Sequence, residues 1–212
     1  HRSPISRDKI SVMQILKEEL GYERLHPIHR LDRATSGVLL IAKNNEFASF
    51  ASKCFLNHEV EKTYFAVIRG WPQEDISIID SPLKNDKGIL QDSETHFKII
   101  HKVELPIQIS KYPTSRYSLI RCQPTTGRRH QIRRHAKRLS GHIIGDTTHG
   151  KTIHNKYFRN ELNNQDMLLY AAQLKIKLYP DKEVLLKVDI PDHFKHICRE
   201  FSWSDELIIE NY

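Results

Sequence analysis

The residues best suited to catalysis are an aspartate, Asp32, and the two arginines that flank it, Arg30 and Arg33. They lie in the stretch HRLDRATSG at positions 29–37, which ends in residues typical of turns. A carboxylate in such a loop can act as a nucleophile or accept a proton when a rigid element holds the loop in place. An aspartate in a turn also often caps the backbone, with nearby arginines as surface charge. The spacing alone leaves both interpretations open.

A second candidate, Tyr64, follows 32 residues later in the stretch KTY, which begins at Lys62. The intervening chain is predicted to form a helix over 45–58 and to enter a strand over 60–70, which can return Tyr64 to the same cleft as Asp32. A tyrosine offers a flat aromatic face and a hydroxyl group to a substrate. The alternative is that Tyr64 packs on a neighbouring strand, which is the commoner fate of a strand tyrosine.

The third candidate is a basic segment, because positions 128–138 hold six lysines and arginines and no acidic residue. The spacing of Ile132, Ala136 and Leu139 predicts a helix over 125–139 with a narrow apolar stripe. The same spacing places arginines on shared faces, namely Arg129 with Arg133 and Arg134 with Arg138. An ordinary solvated face would interleave glutamates, so the segment favours a surface that binds phosphates. A solvated basic helix remains the alternative.

Hydrophobic periodicity predicts the elements that position these residues. The run VLLIA after the Asp32 loop predicts a core strand over 38–43, buried on both faces. A first helix is predicted to begin after the N-cap Ser11 and to stop at Gly21. The segment at 1–9 is predicted to be irregular, and the acidic stretch at 73–93 is predicted to be a surface excursion. Strands are predicted at 94–101 and 116–123 around an irregular connector at 106–113, and at 168–178 and 184–190, joined as a hairpin at Pro180 and Asp181. A terminal helix is predicted from Asp192, with Phe194, Ile197, Cys198 and Phe201 on one face.

The composition bounds the class of protein. The 212 residues are 39% hydrophobic and 28% charged, which indicates a folded domain, and the net charge of +7 favours a polyanionic partner without separating RNA from DNA or a membrane surface. Three widely spaced cysteines predict no disulfide framework and a reducing compartment, so we expect the cytoplasm. No apolar run reaches the roughly 18 residues of a membrane span, and we expect no signal peptide. Because the chain begins at His1 rather than at a methionine, we expect it to be a fragment.

The 13 histidines raise the question of a metal site, but their spacing argues against one. His26 and His29 lie three apart in a predicted loop, and His130 and His135 lie five apart. Zinc needs a compact set of three or four ligands. The sequence also contains no HExxH, GxGxxG or P-loop motif. We therefore expect no metal and no small-molecule cofactor.

Four blocks of the sequence, in order along nearly the whole chain, resemble the motifs of the RluA-type pseudouridine synthases. The stretch HRLDxxTSGVLL from His29 is similar to the signature motif of that family, and KTY is similar to its Lys-x-Tyr element. Positions 126–135 resemble T-G-R-x-H-Q-[IL]-R-x-H, and positions 141–150 resemble P-I-x-G-D-x-x-Y/H-G. The departures include Gly141, where a longer or different residue can stand, and Tyr170, which lies where the family usually has histidine. The lysine-proline-glycine element before the signature motif is also absent.

The resemblance implies an α+β fold with a central, mostly antiparallel mixed sheet, flanking helices and a basic active-site cleft. Residues 1–212 would form a single catalytic domain that lacks the N-terminal part of the family domain. The implied activity is the isomerisation of uridine to pseudouridine in RNA without a cofactor. In that reaction the C1′–N1 glycosidic bond breaks, the uracil turns within the site, and C5 joins C1′.

The resemblance also implies roles for individual residues. Asp32 matches the catalytic aspartate, Arg133 the arginine that pairs with it, and Tyr64 the tyrosine that stacks on the target base and takes part in proton transfer. A planar guanidinium suits this role because it can hold a carboxylate through two parallel hydrogen bonds. Arg30 matches the arginine that helps to displace the target nucleotide. Further RNA contacts are predicted for the other basic positions of these motifs, namely Arg33, Lys62, Arg128, Arg129, His130 and Arg134.

Three further stretches resemble the branch of the family that modifies uridine 65 in the T-stem of tRNA. They are RGW at 69–71, KYPTSRY at 111–117 and the block at 143–158. We therefore expect a monomer that acts on tRNA, with ribosomal RNA as the alternative substrate and no membrane partner.

Two other classes of protein remain open. One is a non-catalytic RNA-binding module, for which Asp32 would be dispensable. The other is a retaining glycoside hydrolase, which needs a second carboxyl group about 5 Å from the first. The carboxylates nearest to Asp32 in the sequence, Glu23 and Glu46, belong to no motif that links them to it.

Overall fold

The computed structural model describes residues 11–139, 141–179 and 182–211. The irregular segment predicted at 1–9 and the turn predicted at Pro180 and Asp181 lie outside these residues. The chain divides into two compact units. The smaller unit is drawn from the stretch up to Arg33, from Leu39–Val60 and from Ile176–Val184, and the larger unit from Ala34–Val38, from Glu61–Lys175 and from the stretch after Val184.

The helices of the described chain are α1 (Val12–Leu20), α2 (Asn45–Leu56), α3 (Gln131–Ala136), α4 (Thr152–Asn160), α5 (Asp192–Glu200) and α6 (Asp205–Ile209), with a 3₁₀ turn at Lys137–Leu139. The strands are β1 (His26–Pro27), β2 (Ser36–Gly37), β3 (Ile41–Ala42), β4 (Val60–Arg69), β5 (Ile76–Asp80), β6 (Leu83–Lys84), β7 (Leu90–Gln91), β8 (Glu94–Leu105), β9 (Ser115–Pro124), β10 (Leu169–Tyr179) and β11 (Lys182–Lys187). No helix in the described residues combines the length and the hydropathy needed to cross a membrane.

The larger unit is organised around a mixed sheet with the strand order β11-β10-β4-β9-β8-β5, and β2 pairs with β10 outside this order. The pairs β4–β9, β8–β9 and β5–β8 are antiparallel, whereas β2 and β10 are parallel. The predicted α+β class with a mostly antiparallel mixed sheet is therefore confirmed. The predicted strands at 168–178 and 184–190 correspond to β10 and β11, which are neighbours in the sheet.

Strand β4 is buried on both faces because its side chains alternate between two apolar clusters. Phe65 and Val67 belong to the first cluster, and Ala66 and Ile68 belong to the second, which also holds Ile132 of α3. The first cluster includes the predicted apolar face of α5, whose members are Phe194, Ile197, Cys198 and Phe201. The second cluster therefore attaches α3 to the same strand that carries Tyr64.

The smaller unit contains α1, α2 and the antiparallel pair β1–β3. Helix α1 has the predicted bounds: Ser11 and Gln14 form a capping box, and Gly21 ends the helix with a left-handed φ of 66°. Helix α2 begins after Asn44, whose Oδ1 accepts a hydrogen bond from the N–H of Phe47 at 2.8 Å. The local capping rules thus account for both helix starts.

The predicted continuous core strand over 38–43 is wrong. The chain forms β2 at 36–37 and β3 at 41–42, with no strand between them. Strand β2 pairs with β10, whereas β3 pairs with β1, so the two short strands bond to different partners. Apolar residue types predicted the burial of Val38 and Ala42 correctly, but residue type carries no information about which strand supplies the hydrogen bonds.

The predicted acidic surface excursion at 73–93 is also partly wrong, because it contains β5, β6 and β7. Strand β5 forms an edge of the sheet beside β8. Its residues Ile76 and Ile78 are 70% and 57% exposed, so these apolar side chains of the strand do not face the core. Strands β6 and β7 pair as a short hairpin over 83–91, called the 83–91 hairpin below.

Candidate active site

Asp32 lies in the smaller unit, in the loop after β1. It is half-buried, whereas Arg30 and Arg33 are exposed. The first residue of the motif holds this loop: His29 Nε2 accepts a hydrogen bond from the N–H of Leu40 at 2.9 Å. Its imidazole also stacks on the ring of Phe55 of α2, with ring centroids 4.9 Å apart. The sequence gives no sign of this anchoring role, although His29 opens the motif.

The end of the same motif lies in the larger unit, where Gly37 runs beside Ala171 of β10. Gly37 has a φ of 118°, and a Cβ at this position would lie 2.1 Å from the carbonyl oxygen of Ala171. The N–H of Val38 donates to the same carbonyl at 2.9 Å. The glycine of the motif is therefore required by a close approach of two backbones, which no side chain would tolerate.

Tyr64 lies on β4 opposite Cys122 of β9 and is half-buried. It packs against the second apolar cluster, so part of the Tyr64 side chain has the packing role that was the alternative interpretation of this residue. Lys62, two residues earlier on β4, donates a hydrogen bond from Nζ to the main-chain carbonyl of Thr126 at 2.9 Å. Burial lowers the pKa of the Lys62 ammonium to about 8. Lys62 thus joins the KTY stretch to the start of the basic motif.

The predicted helix over 125–139 is too long, because α3 begins only at Gln131. The preceding residue, His130, has a left-handed φ of 53°, so the helix cannot extend towards the N-terminus. Arg129 is consequently outside the helix, and the predicted shared face of Arg129 and Arg133 is wrong. After Ala136 the chain tightens into the 3₁₀ turn, so Arg138 is outside α3 as well.

The side chain of Gln131 holds the loop that precedes α3. Its Oε1 accepts hydrogen bonds from the N–H of Arg128 at 2.9 Å and from the hydroxyl of Thr126 at 2.7 Å. Its Nε2 donates to the carbonyl of Glu94 at 2.8 Å and to the hydroxyl of Thr95 at 3.0 Å. The glutamine is buried, so these contacts satisfy polar groups that have no access to water. The motif therefore fixes its own loop geometry.

Arg133 does not lie on an exposed phosphate-binding face, because only 6% of it is accessible. It forms a bidentate ion pair with Asp146, with Nε 2.8 Å from Oδ2 and Nη2 2.7 Å from Oδ1. Burial alone would raise the pKa of the Asp146 carboxyl, but hydrogen bonds from Arg133, His149 and Thr148 and the charge of Arg133 lower it. The sequence does not identify Asp146 as a partner of Arg133, and the pairing of Arg133 with Asp32 stays a prediction.

The other basic residues of this motif contact the 83–91 hairpin or the residues next to it. The contacts run from Arg128 Nε to the carbonyl of Asp92 at 2.9 Å, from Arg129 Nη1 to the carboxylate of Asp86, and from Arg134 Nη1 to the carbonyl of Lys84 at 3.0 Å. His130 Nδ1 lies 2.9 Å from His149 Nε2. These positions together form a basic, partly exposed surface suited to a polyanion.

No group of three or more histidine, cysteine, aspartate and glutamate residues in the described chain could hold a metal ion. The cysteines Cys54, Cys122 and Cys198 are buried as free thiols. The candidate catalytic residues offer the chemistry of a carboxylate, a tyrosine and arginines.

Comparison with known proteins identifies the class. The family model for RNA pseudouridylate synthase matches residues 2–138, a range that contains the first three sequence blocks. A protein named tRNA pseudouridine synthase C from Vibrio cholerae serotype O1 is 40% identical, over 99% of this chain and 90% of the relative. Its namesake from Vibrio parahaemolyticus is also 40% identical, over 98% of this chain and 89% of the relative.

A solved structure agrees with this assignment. Human RNA Pseudouridylate Synthase Domain Containing 1 is similar with a TM-score of 0.68 and 25% identity, over 85% of this chain and 74% of that chain. The chain belongs to the RluA type of the RNA pseudouridylate synthase family and is a pseudouridine synthase. The expected resemblance, fold class and enzyme class are thereby confirmed.

Proposed function

We propose that this pseudouridine synthase acts on tRNA and converts uridine 65 of the T-stem. The observation that supports tRNA as the substrate is the 40% identity, over 99% of this chain, with a relative named tRNA pseudouridine synthase C. The RGW, KYPTSRY and 143–158 stretches support position 65. The net charge of +7 suits an RNA ligand. A tRNA substrate also implies a cytoplasmic enzyme.

Asp32 is the proposed catalytic carboxylate. The support is the complete match of the signature motif and the anchoring of its loop through His29. A carboxylate can add to the sugar or the base, or it can take a proton from the ribose, and both routes share the same overall change. The C1′–N1 bond breaks and a C1′–C5 bond forms, while C5 loses its proton and N1 gains one. The product is an isomer of the substrate, so the reaction needs no co-reactant.

Tyr64 is proposed to contact the displaced nucleotide, and Arg30 is proposed to occupy the space that it leaves. A base inside a stacked stem is inaccessible, so the enzyme must flip it out at a cost of a few kcal/mol. The ring of Tyr64 can stack on the flipped uracil, which is worth roughly 1–3 kcal/mol per base, and its hydroxyl can move a proton. Arg30 is exposed and can fill the space that the nucleotide leaves.

Arg133 is proposed to orient the catalytic carboxylate, as the T-G-R-x-H-Q-[IL]-R-x-H motif implies. Its guanidinium carries five N–H donors, and the ion pair with Asp146 accounts for two of them. The remaining basic residues are proposed to bind the phosphates of the T-stem. They are Arg33, Lys62, Arg128, Arg129, His130 and Arg134.

The test is single-turnover conversion of a full-length tRNA transcript, with pseudouridine scored at every position. Wild type is compared with Asp32→Asn and with Asp75→Asn, which removes an exposed carboxylate that pairs with Lys102 and lies outside the four motif blocks. We expect conversion at uridine 65 by wild type and by Asp75→Asn. Asp32→Asn should bind tRNA normally and convert none of it.

Other outcomes contradict separate parts of the proposal. Conversion of a ribosomal RNA fragment in preference to tRNA would overturn the substrate. Full activity of Asp32→Asn would overturn the catalytic role. Tight tRNA binding without conversion by wild type would favour the non-catalytic binding module. Sedimentation analysis of the same preparation tests the expected monomer.

A further inference from the structure

We propose that Asp146 is a positioning residue that fixes the plane of the Arg133 guanidinium, and that the turn at 145–150 is built to hold Asp146 for this purpose. The inference rests on the proposed function, because the catalytic importance of Arg133 comes from there. It adds a residue to which neither the motif nor the comparisons give a role.

The geometry of the pair restricts Arg133 in orientation as well as in position. Two parallel hydrogen bonds join the Nε and Nη2 edge of the guanidinium to the two oxygens of one carboxylate, at 2.8 and 2.7 Å. A single contact would allow the guanidinium plane to rotate about the Cδ–Nε bond, whereas the bidentate contact fixes the plane. Asp146 is 1% exposed and Arg133 is 6% exposed, so water does not compete for these bonds.

Asp146 is itself held from several sides. Its Oδ1 accepts the main-chain N–H groups of Thr148 at 2.8 Å and His149 at 2.9 Å. Its main-chain carbonyl accepts the N–H of Gly150 at 3.0 Å and the Nδ2 of Asn155 at 2.9 Å. The carboxylate therefore meets Arg133 with its position already set by the backbone.

Asn155 and the two glycines of the turn complete this support. Asn155 Oδ1 accepts a hydrogen bond from the N–H of Gly145 at 2.9 Å, so one side chain binds the backbone of two adjacent residues, Gly145 and Asp146, at the start of the turn. Gly150 passes so close to Asp146 that a Cβ there would lie 2.1 Å from the Asp146 carbonyl oxygen. A Cβ at Gly145 would lie 2.1 Å from the carbonyl oxygen of Asp166. The backbone path of this turn therefore requires glycine at both positions.

A merely structural role is the competing explanation, since breaking a buried ion pair also destabilises a protein. The two roles differ in their effect on the chemical step. A positioning residue should change the rate of conversion at saturating enzyme but not the affinity for RNA. Its effect should also disappear once Arg133 can no longer make a bidentate contact.

The experiment is a double-mutant cycle with Asp146→Asn, Arg133→Lys and the double variant, using the full chain and a tRNA transcript. The measurements are the single-turnover rate constant, the Kd for tRNA and the thermal unfolding midpoint. Misplacing a reacting group by about 1 Å can cost on the order of 10²-fold in rate, and we expect a loss of this size for Asp146→Asn with Kd nearly unchanged. In the Arg133→Lys background the same substitution should lower the rate by less than about threefold.

Tyr117→Phe is the matched control for stability. It removes a different buried hydrogen bond of the larger unit, from the Tyr117 hydroxyl to His154 at 2.9 Å, and touches neither residue of the pair. It should lower the unfolding midpoint and leave the rate constant unchanged. If Asp146→Asn does not fold, Asn155→Ala loosens the support of Asp146 while both charges of the pair remain. We expect it to lower the rate in the same direction by a smaller factor.

The inference is overturned if the Asp146 and Asn155 variants lose stability but keep the wild-type rate constant. It is also overturned if the losses from Asp146→Asn and Arg133→Lys multiply in the double variant. Failure of the proposed substrate is distinct from both, because wild type would then convert the ribosomal RNA fragment instead, and the same cycle can be run on that RNA. A wild type that converts neither RNA overturns the proposed function and this inference with it.

Discussion

The ammonium group of Lys62 donates a hydrogen bond to the main-chain carbonyl of Thr126 at 2.9 Å. This contact joins two motifs that lie 64 positions apart in the sequence, the KTY stretch on β4 and the loop before α3. It explains why a lysine is useful two residues before Tyr64: the strand that carries the tyrosine is tied to the loop that precedes Arg133. The contact is partly buried, and burial lowers the pKa of the Lys62 ammonium.

We predict that Lys62 makes stability depend on pH in the alkaline range. Its pKa is about 8 in the folded chain and 10.5 ordinarily, so between these values the unfolded chain holds a proton that the folded chain has released. The free energy of unfolding should therefore rise with pH from about 8 to 10.5 relative to Lys62→Met. Urea denaturation of both proteins at several pH values measures this difference. The exposed Lys87→Met controls for the loss of one lysine, and a difference that stays constant with pH would contradict the prediction.

We predict that the ring and the hydroxyl of Tyr64 have separable roles. Tyr64→Phe should bind tRNA like wild type but convert it about 10² to 10⁴ times more slowly, the range typical of a lost proton-transfer group. Tyr64→Leu should also weaken binding, because stacking on the flipped base is lost. Single-turnover rates and filter binding separate the two effects. If Tyr64→Phe keeps the wild-type rate, the hydroxyl takes no part in proton transfer. If Tyr64→Leu also binds and converts tRNA like wild type, the ring serves only to pack against the second apolar cluster.

We predict that Asp86 restrains RNA binding by the basic surface. Its carboxylate pairs with Arg129, and both side chains are more than half exposed, so a phosphate must compete with Asp86 for the guanidinium. Exposed pairs are worth roughly 0.2–1 kcal/mol, so Asp86→Asn should tighten tRNA binding about 1.5- to 5-fold at low salt. Asp75→Asn makes the same change of charge at the exposed pair with Lys102. An equal gain from Asp75→Asn would show that only net charge matters.

We predict that Gly37 is essential for stability. Gly37→Ala would place a Cβ 2.1 Å from the carbonyl oxygen of Ala171 at a φ of 118°, which β2 can relieve only by leaving β10. The free energy of unfolding should fall by about 3 kcal/mol, from overpacking and backbone strain together. Gly88→Ala, with a φ of 80° and nothing within 4 Å of the new Cβ, should lose about 1 kcal/mol from strain alone. Equal losses in denaturant titrations would rule out the clash.

Much of the fold could be predicted from the sequence because its signals are local. Helix α1 has the predicted bounds because its N-cap Ser11 and its terminal Gly21 act on the backbone of their own turn. The buried face of α5 followed from periodicity in the same way. Strand β5 was not predicted, because its short Ile-Ser-Ile alternation lies within an acidic, turn-rich stretch and its pairing with β8 is decided by the sheet.

The candidate site divides in a similar way. The sequence by itself determined the family, the residue types in each motif and hence Asp32, Tyr64 and Arg133 as candidates, because a motif preserves the residue types that the chemistry needs. Only the tertiary structure decided that Arg133 is buried against Asp146 and that Gln131 ends the loop before a short α3. A guanidinium can pair with any carboxylate that the fold brings near it. Sequence spacing does not specify that distance, whereas the packing of the 145–150 turn against α3 does.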